Sequence, residues 1–198
     1  LEAEGAVAPS GGEFMEIIPT EVTHLNRVVQ GFLDYARPGN LEQVATETVP
    51  YLEAVARQLG DDLALDLSPG LSSVVVDRDR LLQVLRNLVR NAQDVSPPEG
   101  IELAAYPSSR GTVIEVRDRG DGIPDAMRNQ LFTPFATTKA RGTGLGLAIS
   151  QRIVKDHHGQ LELLPRPGGG TIARVTLPLS GDSQAPISSL GSGRPRPT

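Results

Sequence analysis

The sequence predicts an α/β sandwich over residues 46–179, preceded by one long amphipathic helix over residues 14–38. Three observations predict this class. Segments with the apolar spacing of amphipathic helices alternate with shorter segments in which every second residue is apolar, as in half-buried strands. The apolar share of 38% is enough for a packed core. The 21 glycines and 16 prolines stay below the combined share that is typical of disordered chains.

The N-terminal part divides into three segments. Residues 1–13 are small and polar and predict a flexible segment. Over 14–38, apolar residues recur on one helix face, at Leu25, Val28, Val29, Phe32, Leu33 and Ala36. Pro38 ends this helix, because proline disfavours a helical residue before it and lacks an N–H. One helix cannot bury its own stripe, so we expect a partner helix, and residues 39–45 are interpreted as a linker.

The first half of the predicted sandwich contains two helices and two strands. Thr46–Leu59 has helical periodicity. Leucine stands at every second position of Leu63–Leu67, which predicts a half-buried strand, and Val74–Val76 predicts another. Asp77 or Asp79 can cap the next helix, whose apolar face carries Leu81, Leu82, Leu85, Leu88, Val89 and Ala92.

The sequence of the second half of the sandwich predicts four strands, a long loop and one more helix. These are strands at Ile101–Ala105 and Thr112–Arg117, a loop over Asp118–Thr143, a helix over Leu145–His157 with Gly159 as its C-cap, and a hairpin of Gln160–Leu164 and Thr171–Leu177. Residues 180–198 are rich in serine, glycine and proline and predict a disordered tail.

The composition excludes several classes of protein. The chain has no cysteine, which excludes disulfides, thiolate metal sites and cysteine nucleophiles. A net charge of −5 and 4% aromatic residues argue against a nucleic-acid binder. No apolar run approaches the ~20 residues that a membrane span needs, and no secretory leader opens the chain. We therefore expect a cytoplasmic protein, or the cytoplasmic part of a membrane-anchored parent.

Three short motifs carry candidate chemistry. Asn87 and Asn91 lie four residues apart at the edge of the apolar face of one helix, and an amide oxygen can ligate Mg²⁺. Asp118 follows a strand and precedes Gly120 and Gly122, so its carboxylate can accept from an exocyclic amine while the glycines let a flat ring approach. Taken singly, solvated asparagines and an Asp-Gly turn remain open alternatives.

The third motif is a glycine-rich run at the start of a helix, Gly142-Thr143-Gly144-Leu145-Gly146-Leu147. Backbone N–H groups at such a helix N-terminus make an anion site. The run has neither the Walker spacing nor the dinucleotide fingerprint. Lys139 and Arg141 lie just upstream and can reach phosphate oxygens.

The three motifs follow one another along the chain, and the segment Leu131-Phe132-Thr133-Pro134-Phe135 lies between the second and the third. In this combination they resemble the GHKL ATP-binding family over residues 77–178. The closer resemblance is to the catalytic domain of bacterial sensor histidine kinases. The segment from Val28 to Pro38 is similar to the end of the second helix of their dimerisation and phosphoacceptor domain. The resemblance implies a Bergerat-type fold, a two-layer sandwich of a mixed sheet packed on helices.

The resemblance also implies roles in binding Mg·ATP. Asp118 would accept from the adenine amine, Asn91 would ligate Mg²⁺ with Asn87 beside it, and Lys139 would contact phosphates. Phe132 and Phe135 would anchor a lid over 137–143. The other implied ATP-binding residues are Gly120, Gly122, Ile123, Gly142, Thr143, Gly144, Leu145, Gly146, Leu147 and Thr171. The implied partners are ATP, a second copy through the 14–38 helix, and a response regulator.

This sequence departs from the family at three points. Related ATPases carry a glutamate general base where Asn87 stands, and an amide cannot take a proton at neutral pH, so transfer is favoured over hydrolysis. Asp94 stands where many kinases of the family carry lysine. None of the three histidines precedes an acidic residue, so the phosphoacceptor is expected on a helix absent from this chain. The alternatives are a serine kinase of the anti-sigma-factor type and a non-catalytic nucleotide-binding dimerisation module.

Overall fold

The computed structural model describes residues 22, 25, 29, 32, 33, 41–60, 63–137, 139 and 142–179. The predicted segments 1–13 and 180–198 and most of 14–38 lie outside the described residues. The five described residues of the first predicted helix are helical, and each side chain is at least half exposed; they are Val22, Leu25, Val29, Phe32 and Leu33. Within the described chain, nothing therefore covers this apolar face.

Ten α-helices and β-strands follow in the described chain. They are β1 (Val44–Thr46), α1 (Thr48–Leu59), β2 (Ala64–Leu67), β3 (Val74–Val76), α2 (Arg78–Gln93), β4 (Glu102–Ser108), β5 (Gly111–Arg117), α3 (Gly146–Asp156), β6 (Gln160–Pro165) and β7 (Thr171–Leu177). Asp77 caps α2 as predicted, because its side chain accepts a hydrogen bond from the backbone N–H of Arg80 at 3.1 Å.

The main sheet has five strands in the order β2-β4-β5-β7-β6. Its first pair, β2 and β4, is parallel, and the other pairs are antiparallel, so the sheet is mixed as the family resemblance implies. α2 and α3 pack on one face, which carries the buried residues Leu103, Ile114, Val116, Val175 and Leu177. The two-layer sandwich is confirmed.

The structure corrects two predictions at the start of the domain. The first helix begins at Thr48 rather than Thr46, because Val44–Thr46 forms β1 and pairs antiparallel with β3. This strand lies partly inside the predicted linker. The β2 strand is more exposed than predicted, with Leu65 43% accessible, because it is an edge strand.

The end of α3 also differs from the prediction. His158, and not Gly159, takes the left-handed conformation after the helix, with a φ of 58°. The N–H of Gly159 then donates to the carbonyl of Val154 at 2.8 Å, and the N–H of His158 donates to Lys155, which is a Schellman motif. Glycine at 159 meets a different need, because a Cβ there would lie 2.5 Å from the carbonyl oxygen of Thr176.

Candidate functional site

A cleft of about 690 Å³ opens between α2, the long loop before α3 and the inner face of the sheet. Its size suits a nucleotide-sized ligand. Most of the residues predicted from the motifs line it, namely Asn87, Asn91, Asp118, Gly122, Ile123, Lys139, Gly142, Thr143, Gly144, Gly146, Leu147 and Thr171. Motifs that are far apart in the chain are thus brought to one cavity.

Three of the predicted residues lie outside the lining of this cleft. Gly120 packs against Val95, and a Cβ there would approach Val95 to 2.7 Å. Leu145 is 1% exposed and belongs to the core. Phe135 is 60% exposed, so burial of its ring does not anchor the predicted lid, whereas Phe132 packs against the core. Gly120 and Leu145 thus pack against other residues, and Phe135 is exposed to solvent.

Asp118 lies just after β5 and is 6% exposed. Its Oδ1 accepts two backbone hydrogen bonds, from the N–H of Gly120 at 2.9 Å and from the N–H of Thr171 at 3.0 Å. Its own N–H donates to the carbonyl of Thr171 at 2.9 Å. Among the described residues no donor reaches Oδ2, and no buried side-chain oxygen lacks a partner. Oδ2 is therefore left accessible for a ligand donor.

Asn87 joins α2 to the start of α3. Its Nδ2 lies 3.3 Å from the carbonyl oxygen of Gly146 and 3.3 Å from Oγ of the fully buried Ser150. Leu145, at the N-cap of α3, has no polar side chain with which to cap the helix. The first N–H groups of a helix have no partner within it, so Gly146 and Leu147 present backbone donors where they line the cleft.

Asn91 and Asp94 share one cation in the cleft. The Nζ of Lys139 donates to Oδ1 of Asn91 at 3.1 Å and to Oδ2 of Asp94 at 2.6 Å. The predicted metal ligand thus faces a positive charge, and Asp94 supplies the negative charge that holds it. The amide oxygen is of the type that Mg²⁺ prefers when phosphates complete its ligands. Arg141, the other predicted cation, lies outside the described residues.

The loop before α3 is held by close backbone contacts. Gly144 has a φ of 64°, and a Cβ there would lie 2.4 Å from the carbonyl carbon of Phe135. The N–H of Phe135 donates to the carbonyl of Gly144 at 3.0 Å, and Phe135 itself has a φ of 68°. Glycine at 144 is required on both counts, conformation and space.

Sequence reasoning missed the apolar floor of the cleft and one cation behind it. The floor includes Val116, Leu163 and Ala173, and the last two are opposite partners in the β6–β7 register. In the sequence these residues stand at the inward-facing positions of alternating strands. Such positions line a ligand cleft or belong to the core, and alternation does not distinguish the two. Arg166 lies in the β6–β7 hairpin and donates to the carbonyl of Asp118 at 3.0 Å; nothing in its local sequence distinguishes it from a solvent-exposed turn residue.

His157 is buried, and the described chain engages both of its ring nitrogens. Nδ1 lies 2.7 Å from the carbonyl oxygen of Ile153, and Nε2 accepts from the N–H of Asp77 at 2.9 Å. This pattern requires the neutral tautomer with the proton on Nδ1. The ring joins the end of α3 to the start of α2 and is closed to an incoming phosphoryl group. His24 lies outside the described residues.

The described residues contain neither a metal-binding cluster of acidic and histidine side chains nor a membrane-spanning helix. No group of three or more histidine, aspartate or glutamate side chains among them has the arrangement of a metal cage. No helix in the described part of the chain has both the length and the apolar character for crossing a bilayer.

The chain is similar to a known family of ATPases and to several known proteins. The family described as "Histidine kinase-, DNA gyrase B-, and HSP90-like ATPase" matches residues 76–181. The chain is 33% identical over 182 residues to the signal transduction histidine-protein kinase AtoS of Escherichia coli strain K12, covering 87% of this chain and 30% of the relative. It is 40% identical over 162 residues to the C4-dicarboxylate transport sensor protein DctS of Rhodobacter capsulatus, covering 77% and 25%.

A solved structure shares the fold. The histidine kinase ThkA in complex with the response regulator protein TrrA superposes with a TM-score of 0.68 at 25% identity, covering 88% of this chain and 53% of that one. The chain thus spans between a quarter and a third of the length of the two curated relatives.

Proposed function

Because the chain belongs to the family of histidine kinase-, DNA gyrase B- and HSP90-like ATPases, we propose that it is the ATP-binding catalytic region of a two-component sensor histidine kinase. The reaction is transfer of the γ-phosphoryl group of Mg·ATP to a ring nitrogen of a histidine on a dimerisation helix. One observation carries the proposal. A single cleft combines a buried carboxylate with an accessible oxygen, an amide oxygen, a lysine and an uncapped helix N-terminus.

At the base end of the cleft, Oδ2 of Asp118 accepts a hydrogen bond from the exocyclic amine of adenine. A guanine carbonyl at the same position would meet the carboxylate oxygen and be repelled, which selects adenine. Gly122, Ile123 and Thr171 line this end, and Val116 with Ala173 supplies the apolar floor. The two backbone bonds to Oδ1 hold the carboxylate in place before the base arrives.

At the phosphate end, the backbone N–H groups of Gly146 and Leu147 donate to phosphate oxygens. Lys139 contacts the same oxygens as a point charge once it leaves Asp94. Oδ1 of Asn91 is the oxygen that suits Mg²⁺, which when bound neutralises developing charge on the phosphates. The backbone donors are in place before the nucleotide binds, so charge stabilisation and positioning of the phosphates supply the catalysis.

The nucleophile comes from outside the cleft. Asn87 cannot take a proton from water, and its amide is committed to Gly146 and Ser150, which disfavours hydrolysis. His157 has both ring nitrogens engaged and is unsuited to accept a phosphoryl group. None of the three histidines in this chain precedes an acidic residue, so we assign the acceptor to a different histidine.

The organisation of the chain follows from this proposal. Residues 14–38 form part of a dimerisation helix that pairs with a second copy, which the exposed stripe of Val22, Leu25 and Val29 supports. The linker ends at residue 43, because β1 belongs to the catalytic domain. A response regulator is the proposed downstream partner, by analogy with the ThkA–TrrA pair, and a cytoplasmic location follows from the need for ATP.

The experiment is a transfer assay in trans. The chain is incubated with Mg²⁺ and γ-labelled ATP together with a helical segment that carries a histidine followed by an acidic residue. The expected product is a label on that segment that is lost in acid and survives base, and a copy with glutamine in place of the histidine takes none. An acid-stable label would favour the serine kinase alternative. ADP binding without any transfer would favour the non-catalytic module.

A further inference from the structure

We infer that Arg166, in the hairpin between β6 and β7, is a positioning residue that sets the adenine selectivity of the cleft by fixing Asp118. This inference rests on the proposed function, because it concerns the residue assigned to read the base. Arg166 does not line the cleft, and it acts from behind its wall.

The guanidinium of Arg166 joins three segments that meet behind Asp118. Nη1 donates to the carbonyl oxygen of Asp118 at 3.0 Å and lies 3.4 Å from the carbonyl oxygen of Gly100. Nη2 lies 3.4 Å from Oε2 of Glu102 on β4. The side chain is only 14% exposed, so these contacts are largely sheltered from water. One planar cation thus ties the end of β5 to β4 and to the turn after α2.

The hairpin that carries Arg166 is itself locked onto Asp118. The N–H of Arg166 donates to the carbonyl of Gly170 at 3.0 Å, which closes the hairpin. Gly170 has a φ of 101° and packs so tightly that a Cβ there would lie 2.1 Å from the carbonyl oxygen of Asp118. The backbone of the hairpin is therefore fixed against Asp118, and the shortest contact of the Arg166 guanidinium is the one to the carbonyl oxygen of Asp118.

Asp118 is held at three other points, and all of them are backbone groups. Its N–H donates to Thr171, and its Oδ1 accepts from Gly120 and Thr171. Arg166 is the one side chain among the described residues that bonds to Asp118. It is therefore the contact through which substitution can change the position of the carboxylate without removing the carboxylate itself.

The sheet offers a matched control in Arg174. This residue lies on β7 and pairs with Glu115 through Nε at 2.7 Å, with 32% of its side chain exposed. Like Arg166, it pairs with a glutamate of the sheet, but this ion pair lies on the outer face and does not reach Asp118. Arg174→Met therefore removes an arginine–glutamate ion pair from the sheet without touching the base end of the cleft.

The test compares affinities for ADP and IDP, whose base carries a carbonyl in place of the adenine amine, by calorimetry. We expect Arg166→Met to weaken ADP binding about tenfold and to lower the ADP-over-IDP ratio about fivefold, because a displaced carboxylate both attracts the amine less and repels the carbonyl less. Arg166→Lys keeps one charged donor and should recover part of the ratio. Arg174→Met should keep the parent ratio within about twofold.

Several results would overturn the inference. An ADP-over-IDP ratio in Arg166→Met equal to that of the parent, with both affinities reduced alike, would mean a general structural effect. If Arg166→Met does not fold, an unchanged ratio and an unchanged ADP affinity in Arg166→Lys would overturn the inference equally. Failure of the parent chain itself to bind ADP would instead refute the proposed function, and this inference with it.

Discussion

The main sheet and its cleft each hold a nearly inaccessible carboxylate, and the two are used differently. On the outer face of the sheet, Glu115 is 2% exposed and accepts from three side chains, the hydroxyl of Tyr106 and the Nε atoms of Arg117 and Arg174, each at 2.7 Å. At the cleft, Asp118 is 6% exposed, and only its Oδ1 is engaged by described residues.

This difference separates stability from binding. Both oxygens of Glu115 are occupied by donors from β4, β5 and β7, so that carboxylate joins three strands and offers nothing to a ligand. Asp118 keeps one oxygen accessible at the cleft, where it can accept a hydrogen bond from a ligand. A carboxylate whose two oxygens both accept hydrogen bonds from the protein stabilises the fold, whereas one with a single engaged oxygen can accept a hydrogen bond from a ligand.

The largest expected effect is on the outer face. Glu115→Gln removes the charge that two arginines share, and we expect the free energy of unfolding to fall by about 2–3 kcal/mol in urea denaturation. ADP affinity should stay within about twofold of the parent, because no contact of Glu115 reaches the cleft. Glu162→Gln removes the same charge opposite Arg174 and should cost less than about 0.5 kcal/mol. Equal losses of unfolding free energy in the two variants would contradict the role given to the contacts of Glu115 with Tyr106, Arg117 and Arg174.

The next effect concerns the glycine loop. Gly144→Ala places a side chain against the backbone of Phe135 in a left-handed conformation, so we expect a loss of about 1–2 kcal/mol in stability and about tenfold in ADP affinity. Gly70→Ala is the control, since its φ is 81° but nothing lies within 4 Å of the new Cβ. Calorimetry should find ADP affinity unchanged in Gly70→Ala. A loss of ADP affinity in Gly70→Ala equal to that in Gly144→Ala would mean that backbone strain, and not the contact with Phe135, weakens binding.

Acid should weaken the outer face selectively. Burial raises the pKa of Glu115, but hydrogen bonds from Tyr106, Arg174 and Arg117 outweigh it, and the pKa lies below its ordinary value of 4.5. A lowered folded-state pKa contributes stability above the unfolded-state value, and that stability is lost as the pH falls through the folded-state pKa. The gap in unfolding free energy between the parent and Glu115→Gln should therefore narrow below about pH 4.5. A constant gap down to pH 3 would contradict this assignment.

The smallest effect concerns the cation between Asn91 and Asp94. Asp94→Asn breaks a pair whose side chains are 37% and 44% exposed, so stability should change by less than about 0.5 kcal/mol. ATP affinity should rise about two- to threefold, because Lys139 is freed and a negative charge leaves the phosphate end. Asp156→Asn, which removes the same charge at the end of α3, serves as the control in the same titration. Weaker ATP binding in Asp94→Asn would show that Asp94 assists the ligand directly.

The sequence predicted the elements that have strong local signals. The capped helix α2, with its apolar stripe, and the alternating strands β4 to β7 follow from periodicity and turn residues. The β1 strand was missed because three residues that span the predicted linker and the start of the predicted helix carry no strand periodicity, and only the distant partner β3 makes them a strand. Likewise, His158 takes the left-handed position that Gly159 was expected to fill, since contact with Thr176 determines where the glycine is needed.

For the site, motif residues were predicted well and their supports were not. Asp118, Asn91 and the glycine run reach one cleft as expected. The pairing of Lys139 with Asp94 and the bond from Arg166 depend on long-range geometry, which a single sequence does not encode locally. Glu115 has the sequence pattern of a solvent-facing strand residue, and it is buried by side chains from its own strand and from two neighbouring strands.

The measurement that tests the account most directly is calorimetric titration of Mg·ADP into the parent chain and into Asp118→Asn. The amide keeps an oxygen for the N–H groups of Gly120 and Thr171, but it presents an NH₂ donor where adenine also presents one. We predict that the parent binds and that the variant binds about thirtyfold more weakly, with its unfolding free energy within about 1 kcal/mol of the parent. Equal ADP affinity in the two proteins would contradict the assignment of this cleft as the adenine site.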